Sequence, residues 1–183
     1  MMSDAKATTR AILLDRDGTI NRDVGFTHRV EDLELLPGAV EGLARMAALG
    51  FRLFIVTNQS GVARGYFTEA DMHAFNRALC DRLGRHAIAI DGVYCCPYHP
   101  TEGKGDYRRE SPLRKPDDGM IRQAAEDHAL VLTDCFVVGD KNSDVAAGQK
   151  AGCRTILLRT GAAGSDAVSL SYPPDFVADD LID

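Results

Sequence analysis

The chain has 183 residues, of which 45% are hydrophobic, 26% charged and 7% aromatic, and its formal net charge is −6. This length and composition predict a single domain with its own core over residues 1–183 and exclude extensive disorder. The longest apolar runs are strand-length, far below the ~20 residues of a membrane-spanning helix. The acidic balance argues against broad, non-specific nucleic-acid binding, which needs a basic surface.

The cysteine content and the amino terminus bear on the compartment. Five cysteines, an odd number scattered through the chain, favour a reducing compartment over a disulfide framework. The first ten residues are polar and lack the apolar segment of a signal peptide. We therefore expect a cytoplasmic protein with no membrane contact, and disorder over residues 1–9. Because no heptad pattern or long apolar surface stripe is visible, we expect a monomer.

Short apolar runs alternate with helical patterns along the chain. Strands are predicted at Ala11–Leu14, Phe51–Val56, Gly92–Cys95, Cys135–Val138 and Thr155–Leu158, with a short edge strand at Phe176-Val177. Between them, helical spacing is predicted around Val40–Ala47, from Thr68 to Leu83, over Gly119–His128 and over Val145–Ala151. This alternation predicts an α/β fold of Rossmann type, a central parallel sheet with helices on both faces. Two irregular stretches remain, Asn21–Pro37 and Pro97–Pro116.

Polar clusters follow three of the predicted strands directly. They are Asp15-Arg16-Asp17-Gly18-Thr19, Thr57-Asn58-Gln59-Ser60-Gly61 and Gly139-Asp140-Lys141. In open α/β sheets the ligand crevice lies outside the carboxyl ends of the strands. We therefore expect the three clusters to converge on one edge of the sheet.

The acidic side chains of these clusters predict a magnesium site. Asp15 and Asp17, two residues apart in extended backbone, point to the same side, and Asp140 and Asp144 arrive from a distant strand. Two such charges ~4 Å apart repel by roughly 4 kcal/mol at an effective dielectric of 20. A hard divalent cation removes this repulsion, and Mg²⁺ is the usual ion where a phosphate shares the site. The phosphate oxygens would then face Arg114, Lys115 and Lys141.

Each residue, taken alone, also has a simpler structural explanation. Asp15 and Asp17 could be turn or cap residues, and Thr57-Asn58 could cap a helix. Lys115 could be a solvated lysine, and Asp144, next to Ser143, stands where a helix N-cap belongs. The catalytic interpretation is favoured because all four features occur together and in order.

The ordered motifs resemble the haloacid dehalogenase (HAD) superfamily of phosphotransferases. Asp15-Arg16-Asp17-Gly18-Thr19 matches its D-x-D-G-T signature, and Thr57-Asn58, Lys115 and Gly139-Asp140-Lys141-x-x-Asp144 match its later motifs, over residues 11 to about 160. The resemblance implies that Asp15 attacks phosphorus to form an aspartyl-phosphate and that Asp17 is the general acid and base. It implies that Thr57 and Lys115 hold the phosphoryl oxygens, and that Mg²⁺ is bound by the Asp15 carboxylate, the Asp17 carbonyl and Asp140, with Asp144 orienting them.

The chain resembles one branch of that superfamily, whose members lack a cap domain, in the spacing of its motifs and in several further sequence stretches. Thr57 follows Asp15 by 42 positions and Lys115 follows Thr57 by 58, which leaves no room for a large cap domain. The branch is the D-glycero-D-manno-heptose 1,7-bisphosphate 7-phosphatases, close relatives of histidinol-phosphate phosphatases. The matching stretches are Asp15–Asn21, Gly25–His28, Thr57–Gly65, Cys96–Pro100 and Arg114–Pro116. By this resemblance the loop of residues 97–116 lies near the site, and the substrate contacts Asp23, Val24, Gly25, Phe26, Thr57, Asn58, Gln59, Ser60, Arg114, Lys115 and Lys141.

One departure from the family pattern concerns zinc. Many members bind a structural zinc through a Cys, a His two residues later and a Cys-x-Cys pair. This chain keeps Cys96, but the matching positions are Tyr98, Ser111 and Leu113, with His99 one place off. Because structural zinc needs about four nitrogen or sulfur ligands, no zinc is expected here.

Three functions remain open at this point. The first is a Mg²⁺-dependent 7-phosphatase acting on a small sugar bisphosphate in activated-heptose biosynthesis, the route to lipopolysaccharide or related glycans. The second is a relative with another substrate, histidinol phosphate or a nucleic-acid 3′-phosphate. Acidic neighbours dilute the basic Arg108-Arg109 pair, so no nucleic-acid partner is expected. The third is a non-catalytic protein that binds phosphorylated ligands.

Overall fold

A six-stranded parallel sheet forms the centre of the molecule. The computed structural model describes residues 9–183. Of the segment 1–9 that is expected to be disordered, residues 1–8 lie outside the described residues, whereas Thr9 is described and its carbonyl accepts the Val131 N–H at 2.8 Å. The strands are β1 (Ala11–Leu14), β2 (Arg52–Asn58), β3 (Gly92–Cys96), β4 (Phe136–Gly139), β5 (Arg154–Leu158) and β6 (Phe176–Ala178). They stand in the order β3-β2-β1-β4-β5-β6, and all neighbours are parallel. The predicted α/β fold, including the short edge strand, is confirmed.

Five helices flank the sheet: α1 (Ala39–Ala48), α2 (Ser60–Arg64), α3 (Glu69–Gly84), α4 (Gly119–His128) and α5 (Asn142–Ala151). Thr68 and Asp71 form a capping box at the start of α3: Thr68 Oγ1 accepts the Asp71 N–H at 3.2 Å, and the Asp71 carboxylate accepts the Thr68 N–H at 2.9 Å. Two details differ from the sequence prediction. Helix α2 was not predicted, and α5 begins three residues before Val145.

The central strands are buried on both faces, as their continuous apolar sequences predict. In β1, Ile12 and Leu14 pack into the core on the side of α1 and α3, with Phe75 and Leu79. The alternate residue Leu13 packs into the opposite core, with Phe54 and Met120. The sheet therefore presents no open face at β1.

The two irregular stretches are loops with little regular structure. Residues 21–37 contain one 3-10 turn at Val30–Asp32, and residues 97–116 contain another at Gly105–Tyr107. No large cap domain is present in the part of the chain that the structure describes. Within residues 9–183, no helix has the length and apolar character needed to cross a bilayer.

Candidate active site

The three polar clusters meet at the carboxyl edge of the sheet, as the strand-end rule predicts. Asp15 follows β1, Thr57 and Asn58 end β2, and Asp140 follows β4. A cavity of about 470 Å³ opens here. The predicted residues that line it are Asp15, Asp17, Asp23, Gly25, Phe26, Thr57, Asn58, Gln59, Ser60, Arg114, Lys115 and Lys141. Two predicted residues are not in the lining: Asp140 is buried beneath it, and Val24 faces a neighbouring shallow depression.

Lys115 is buried among carboxylates and is not a solvated lysine. Its ammonium lies 2.9 Å from Asp15 Oδ1 and 2.5 Å from Asp144 Oδ1, and it donates to the Val56 carbonyl at 2.7 Å. The backbone of Lys115 is fixed by the Asn58 side chain, which accepts its N–H at 3.1 Å and donates to its carbonyl at 3.0 Å. Asn58 therefore joins two motifs and does not cap a helix. A buried ammonium held in this way can stabilise negative charge on a phosphoryl group.

Lys141 lies where three of the predicted metal-binding oxygens converge. Its ammonium is 3.7 Å from Asp15 Oδ2, 3.5 Å from the Asp17 carbonyl oxygen and 3.4 Å from Asp140 Oδ1. One cation thus already contacts all three atoms. In addition, carboxylate oxygens of Asp15, Asp140 and Asp144 lie within 4.8 Å of one another. These hard oxygen donors fit a Mg²⁺ ion.

Asp144 serves mainly to hold the site together. Helix α5 begins at Asn142, so the N-cap position belongs to Lys141, and the suggestion that Asp144 stands at the N-cap is wrong. The Asp144 carboxylate accepts the Lys141 N–H at 3.0 Å with one oxygen and binds Lys115 with the other. It thereby links the third and fourth motifs.

Burial and the neighbouring charges shift the pKa values of the carboxyl groups in the site. Burial would raise the pKa of Asp15, but the nearby ammonium groups of Lys115 and Lys141 lower that pKa below its usual value. Burial and the Asp15 charge raise the pKa of Asp140. Burial also raises the pKa of Asp144 to about 7, against the attraction of Lys115. Asp15 is thus kept ionised, as a nucleophilic carboxylate must be.

Asp17 is fixed by hydrogen bonds on both of its carboxylate oxygens. Oδ1 accepts from Arg16 Nε at 3.0 Å and from Asn21 Nδ2 at 2.9 Å, and Oδ2 accepts from Arg16 Nη2 at 2.7 Å and from Gln59 Nε2 at 2.9 Å. Gln59 Nε2 also donates to Thr57 Oγ1 at 2.9 Å. The D-x-D motif and the end of β2 are therefore joined directly through Gln59.

Residues 160–168 form a part of the site that no sequence motif predicts. Its backbone N–H groups hold Asp140: Ala162 N donates to Oδ2 at 2.6 Å and Gly164 N donates to the carbonyl at 2.8 Å. Asp166 accepts the first N–H groups of α5, and residues 166–168 line the cavity. The one available signal was position, because this segment follows β5 at the same edge of the sheet.

The residues of the 97–116 loop do not fit a structural zinc. His99 Nδ1 accepts backbone N–H groups of Thr101 and Glu102, at 3.3 and 3.0 Å. The Tyr98 and Tyr107 rings stack 6.0 Å apart, and the Arg109 guanidinium lies 3.7 Å from the Tyr98 ring centre. The loop is therefore ordered by hydrogen bonds and by aromatic and cation–π contacts.

The chain is similar in sequence and structure to several phosphatases. A HAD-hydrolase-like family model matches residues 112–183. D-glycero-beta-D-manno-heptose-1,7-bisphosphate 7-phosphatase of Pasteurella multocida is 41% identical over 153 residues, 83% of each chain. D-glycero-alpha-D-manno-heptose-1,7-bisphosphate 7-phosphatase of Burkholderia mallei is 44% identical over 81% of this chain and 79% of its own. The crystal structure of D,D-heptose 1,7-bisphosphate phosphatase from B. bronchiseptica, complexed with magnesium and phosphate, is 30% identical, with a TM-score of 0.82 and 94% coverage of both chains.

Proposed function

Because the chain belongs to the D-glycero-D-manno-heptose-1,7-bisphosphate 7-phosphatase family of HAD-like hydrolases, we propose that it hydrolyses the 7-phosphate of D-glycero-D-manno-heptose 1,7-bisphosphate. The observation that carries the proposal is the Asp15 carboxylate, which lines the cavity with two ammonium groups 2.9 and 3.7 Å away. The product would be a heptose 1-phosphate, a precursor for activated heptose and lipopolysaccharide or related glycans. Free cysteines at all five positions support action in the cytoplasm, and we propose a monomer.

The first half of the proposed reaction moves the phosphoryl group to the protein. The Asp15 carboxylate attacks phosphorus in line, an Asp15 oxygen–phosphorus bond forms, and the bond from phosphorus to the sugar oxygen breaks. Asp17 gives its proton to the leaving sugar oxygen, so that an alcohol departs and not an alkoxide. Because a sugar alkoxide is a poor leaving group, this proton transfer is important for a sugar substrate.

The second half returns the protein to its starting state. A water molecule attacks the phosphorus of the aspartyl-phosphate while Asp17 accepts its proton. The Asp15 carboxylate is released together with inorganic phosphate. Lys115 and Thr57 hold phosphoryl oxygens throughout, where fixed donors stabilise the charge that develops in each transition state.

Mg²⁺ fits the oxygen donors of the Asp15 carboxylate, the Asp17 carbonyl and Asp140. When bound there it would supply positive charge to the phosphoryl oxygens and offset the repulsion between the carboxylates. Asp144 would orient these groups through Lys115 and the start of α5. The B. bronchiseptica relative is complexed with magnesium and phosphate, which supports Mg²⁺ as the metal of this chain.

The sugar would lie between the 21–37 loop and Arg114. On one side we place Asp23, Val24, Gly25 and Phe26, and on the other Asn58, Gln59, Ser60 and Lys141. Val24 would contribute only by shaping the turn. Arg114 donates one N–H to the Tyr98 carbonyl at 3.2 Å and lines the cavity. A guanidinium can bind phosphate or neighbouring sugar oxygens in a bidentate manner.

The experiment compares phosphate release from the α and β anomers of heptose 1,7-bisphosphate, histidinol phosphate and a 3′-phosphorylated oligonucleotide. We expect one heptose anomer to give the highest kcat/KM, in a reaction that requires Mg²⁺. Asp15→Asn should abolish turnover, whereas Asp91→Asn, at the opposite end of the sheet, should not. Preference for histidinol phosphate or the oligonucleotide would refute the substrate assignment, and inertness toward every ester would favour a phospholigand-binding protein.

A further inference from the structure

Arg16, between the two catalytic aspartates, has a completely buried guanidinium. It is the largest of the fully buried side chains in the described part of the chain. Burying a charge costs several kcal/mol unless it is paired and hydrogen-bonded. A charge placed here therefore needs an explanation in terms of what it binds.

All three nitrogens of the guanidinium donate hydrogen bonds. Its Nε and Nη2 donate to the two oxygens of Asp17 at 3.0 and 2.7 Å, which is a bidentate pair. Nη2 also donates to the Thr27 carbonyl at 2.6 Å, and Nη1 donates to Asn76 Oδ1 at 2.8 Å. The plane lies over the Phe75 ring, 4.4 Å from its centre. Arg16 therefore has one rigid orientation, set by α3 and by the 21–37 loop.

We propose that Arg16 is a positioning residue that orients the Asp17 carboxyl group for proton transfer to the leaving oxygen. The inference rests on the proposed function only in that it gives Asp17 the proton transfer. Arg16 touches no substrate, since it is buried behind Asp17. Its planar fork fixes both the position and the rotation of the carboxylate plane, and a proton-transfer group needs both.

Arg16 also connects Asp17 to the cavity-lining turn at Gly25 and Phe26. Thr27, whose carbonyl binds Arg16, closes that turn by accepting the Val24 N–H at 3.0 Å. Both turn residues have positive φ, +83° at Gly25 and +56° at Phe26. For a phenylalanine this conformation is unfavourable and needs support from its surroundings. The same guanidinium thus holds both the Asp17 carboxylate and the turn that forms one wall of the cavity.

A leaving-group comparison separates positioning from general structural support. Phenyl phosphate and p-nitrophenyl phosphate are similar in size and lack a sugar, but phenolate is the poorer leaving group and gains more from a proton. The parameter kcat/KM reports the steps up to leaving-group departure. A misdirected Asp17 should therefore slow phenyl phosphate hydrolysis more than p-nitrophenyl phosphate hydrolysis.

The decisive variant is Arg16→Lys, which keeps the charge but cannot form the bidentate fork. We expect the ratio of kcat/KM for phenyl phosphate to that for p-nitrophenyl phosphate to fall by about 10-fold to 100-fold. The matched control is Arg52→Lys. Arg52 also donates through Nε and Nη2 to one aspartate, here to a single oxygen of Asp91, and lies over a phenylalanine ring, but at the other end of β2. Its ratio should stay within about twofold of the original.

A second variant covers the case in which Arg16→Lys does not fold. Asn76→Leu keeps the number and branching of the side-chain heavy atoms but removes the acceptor of Nη1. It should lower the same ratio by a smaller factor, about 3-fold. If both esters slow in parallel in the folded variants, Arg16 is merely structural and the inference is overturned. If the unsubstituted protein cleaves aryl esters but not heptose bisphosphate, the proposed substrate fails while this ratio still decides the role of Arg16.

Discussion

Replacing Gly18 by alanine should separate metal binding from folding stability. Gly18 has φ +84°, and a Cβ built there would lie 2.4 Å from Asp140 Oδ2 and 3.2 Å from the Gly161 Cα. Ordinary contact needs about 3.4 Å, so the carboxylate oxygen would have to move by about 1 Å. It cannot do so freely, because Ala162 N donates to the same oxygen at 2.6 Å.

The magnitude has two parts. The left-handed backbone conformation costs an alanine about 1–2 kcal/mol, which for a chain of this size lowers Tm by about 2–8 °C. Displacement of Asp140 should then raise the half-saturating Mg²⁺ concentration by about 10-fold to 100-fold. Gly152→Ala is the matched control, since Gly152 also has φ +84° but a Cβ there meets nothing within 4 Å.

The assay is phosphate release titrated with Mg²⁺, with Tm measured by calorimetry on the same preparations. Both variants should lose similar stability from the backbone term, and only Gly18→Ala should need more Mg²⁺. An unchanged Mg²⁺ requirement in a folded Gly18→Ala protein would refute the placement of Asp140 at the metal.

Three further predictions concern stability. Lys115→Met should lower the free energy of unfolding, measured in urea, by about 3–5 kcal/mol, because it removes the ammonium nearest to the buried carboxylates of Asp15 and Asp144. The exposed Lys150→Met should change that free energy by less than about 1 kcal/mol, and equal losses would contradict this interpretation. Thr68→Ala should cost about 1 kcal/mol through loss of the α3 cap, measured the same way, and no loss would argue against the capping box. The zinc-selective chelator TPEN should leave Tm unchanged, because the residues of the 97–116 loop do not fit a structural zinc; a drop in Tm that zinc reverses would show otherwise.

The sequence predicted best what side-chain chemistry and apolar periodicity encode. The β1 strand and the aspartates after it could be located because four apolar residues end abruptly at a polar motif. The edge at which Lys115 and Asp140 meet followed from the geometry of parallel sheets. The bond network behind them could not be found in this way, because Arg16 reads as a variable position within the D-x-D motif.

The remaining features of the site could not be predicted, because they depend on backbone groups and on residues distant in the sequence. The N–H groups of Ala162 and Gly164 hold Asp140, yet backbone donors are the same at every non-proline residue and leave no mark in the sequence. The true start of α5 was missed because its first turn has no apolar periodicity. Its N–H groups are instead satisfied by Asp166, 24 residues beyond Asn142.

The carboxylate of Asp166 has a consequence for how phosphate can be recognised. The N–H groups at a helix amino terminus commonly bind anions. At α5, however, the N–H groups of Asn142 and Ser143 already donate to the Asp166 carboxylate of the same chain. An incoming phosphoryl group thus finds that terminus saturated and depends on lysine ammonium groups and the Thr57 hydroxyl. Affinity for phosphate in this molecule should accordingly be tunable by exchanging individual side chains, without rebuilding a loop.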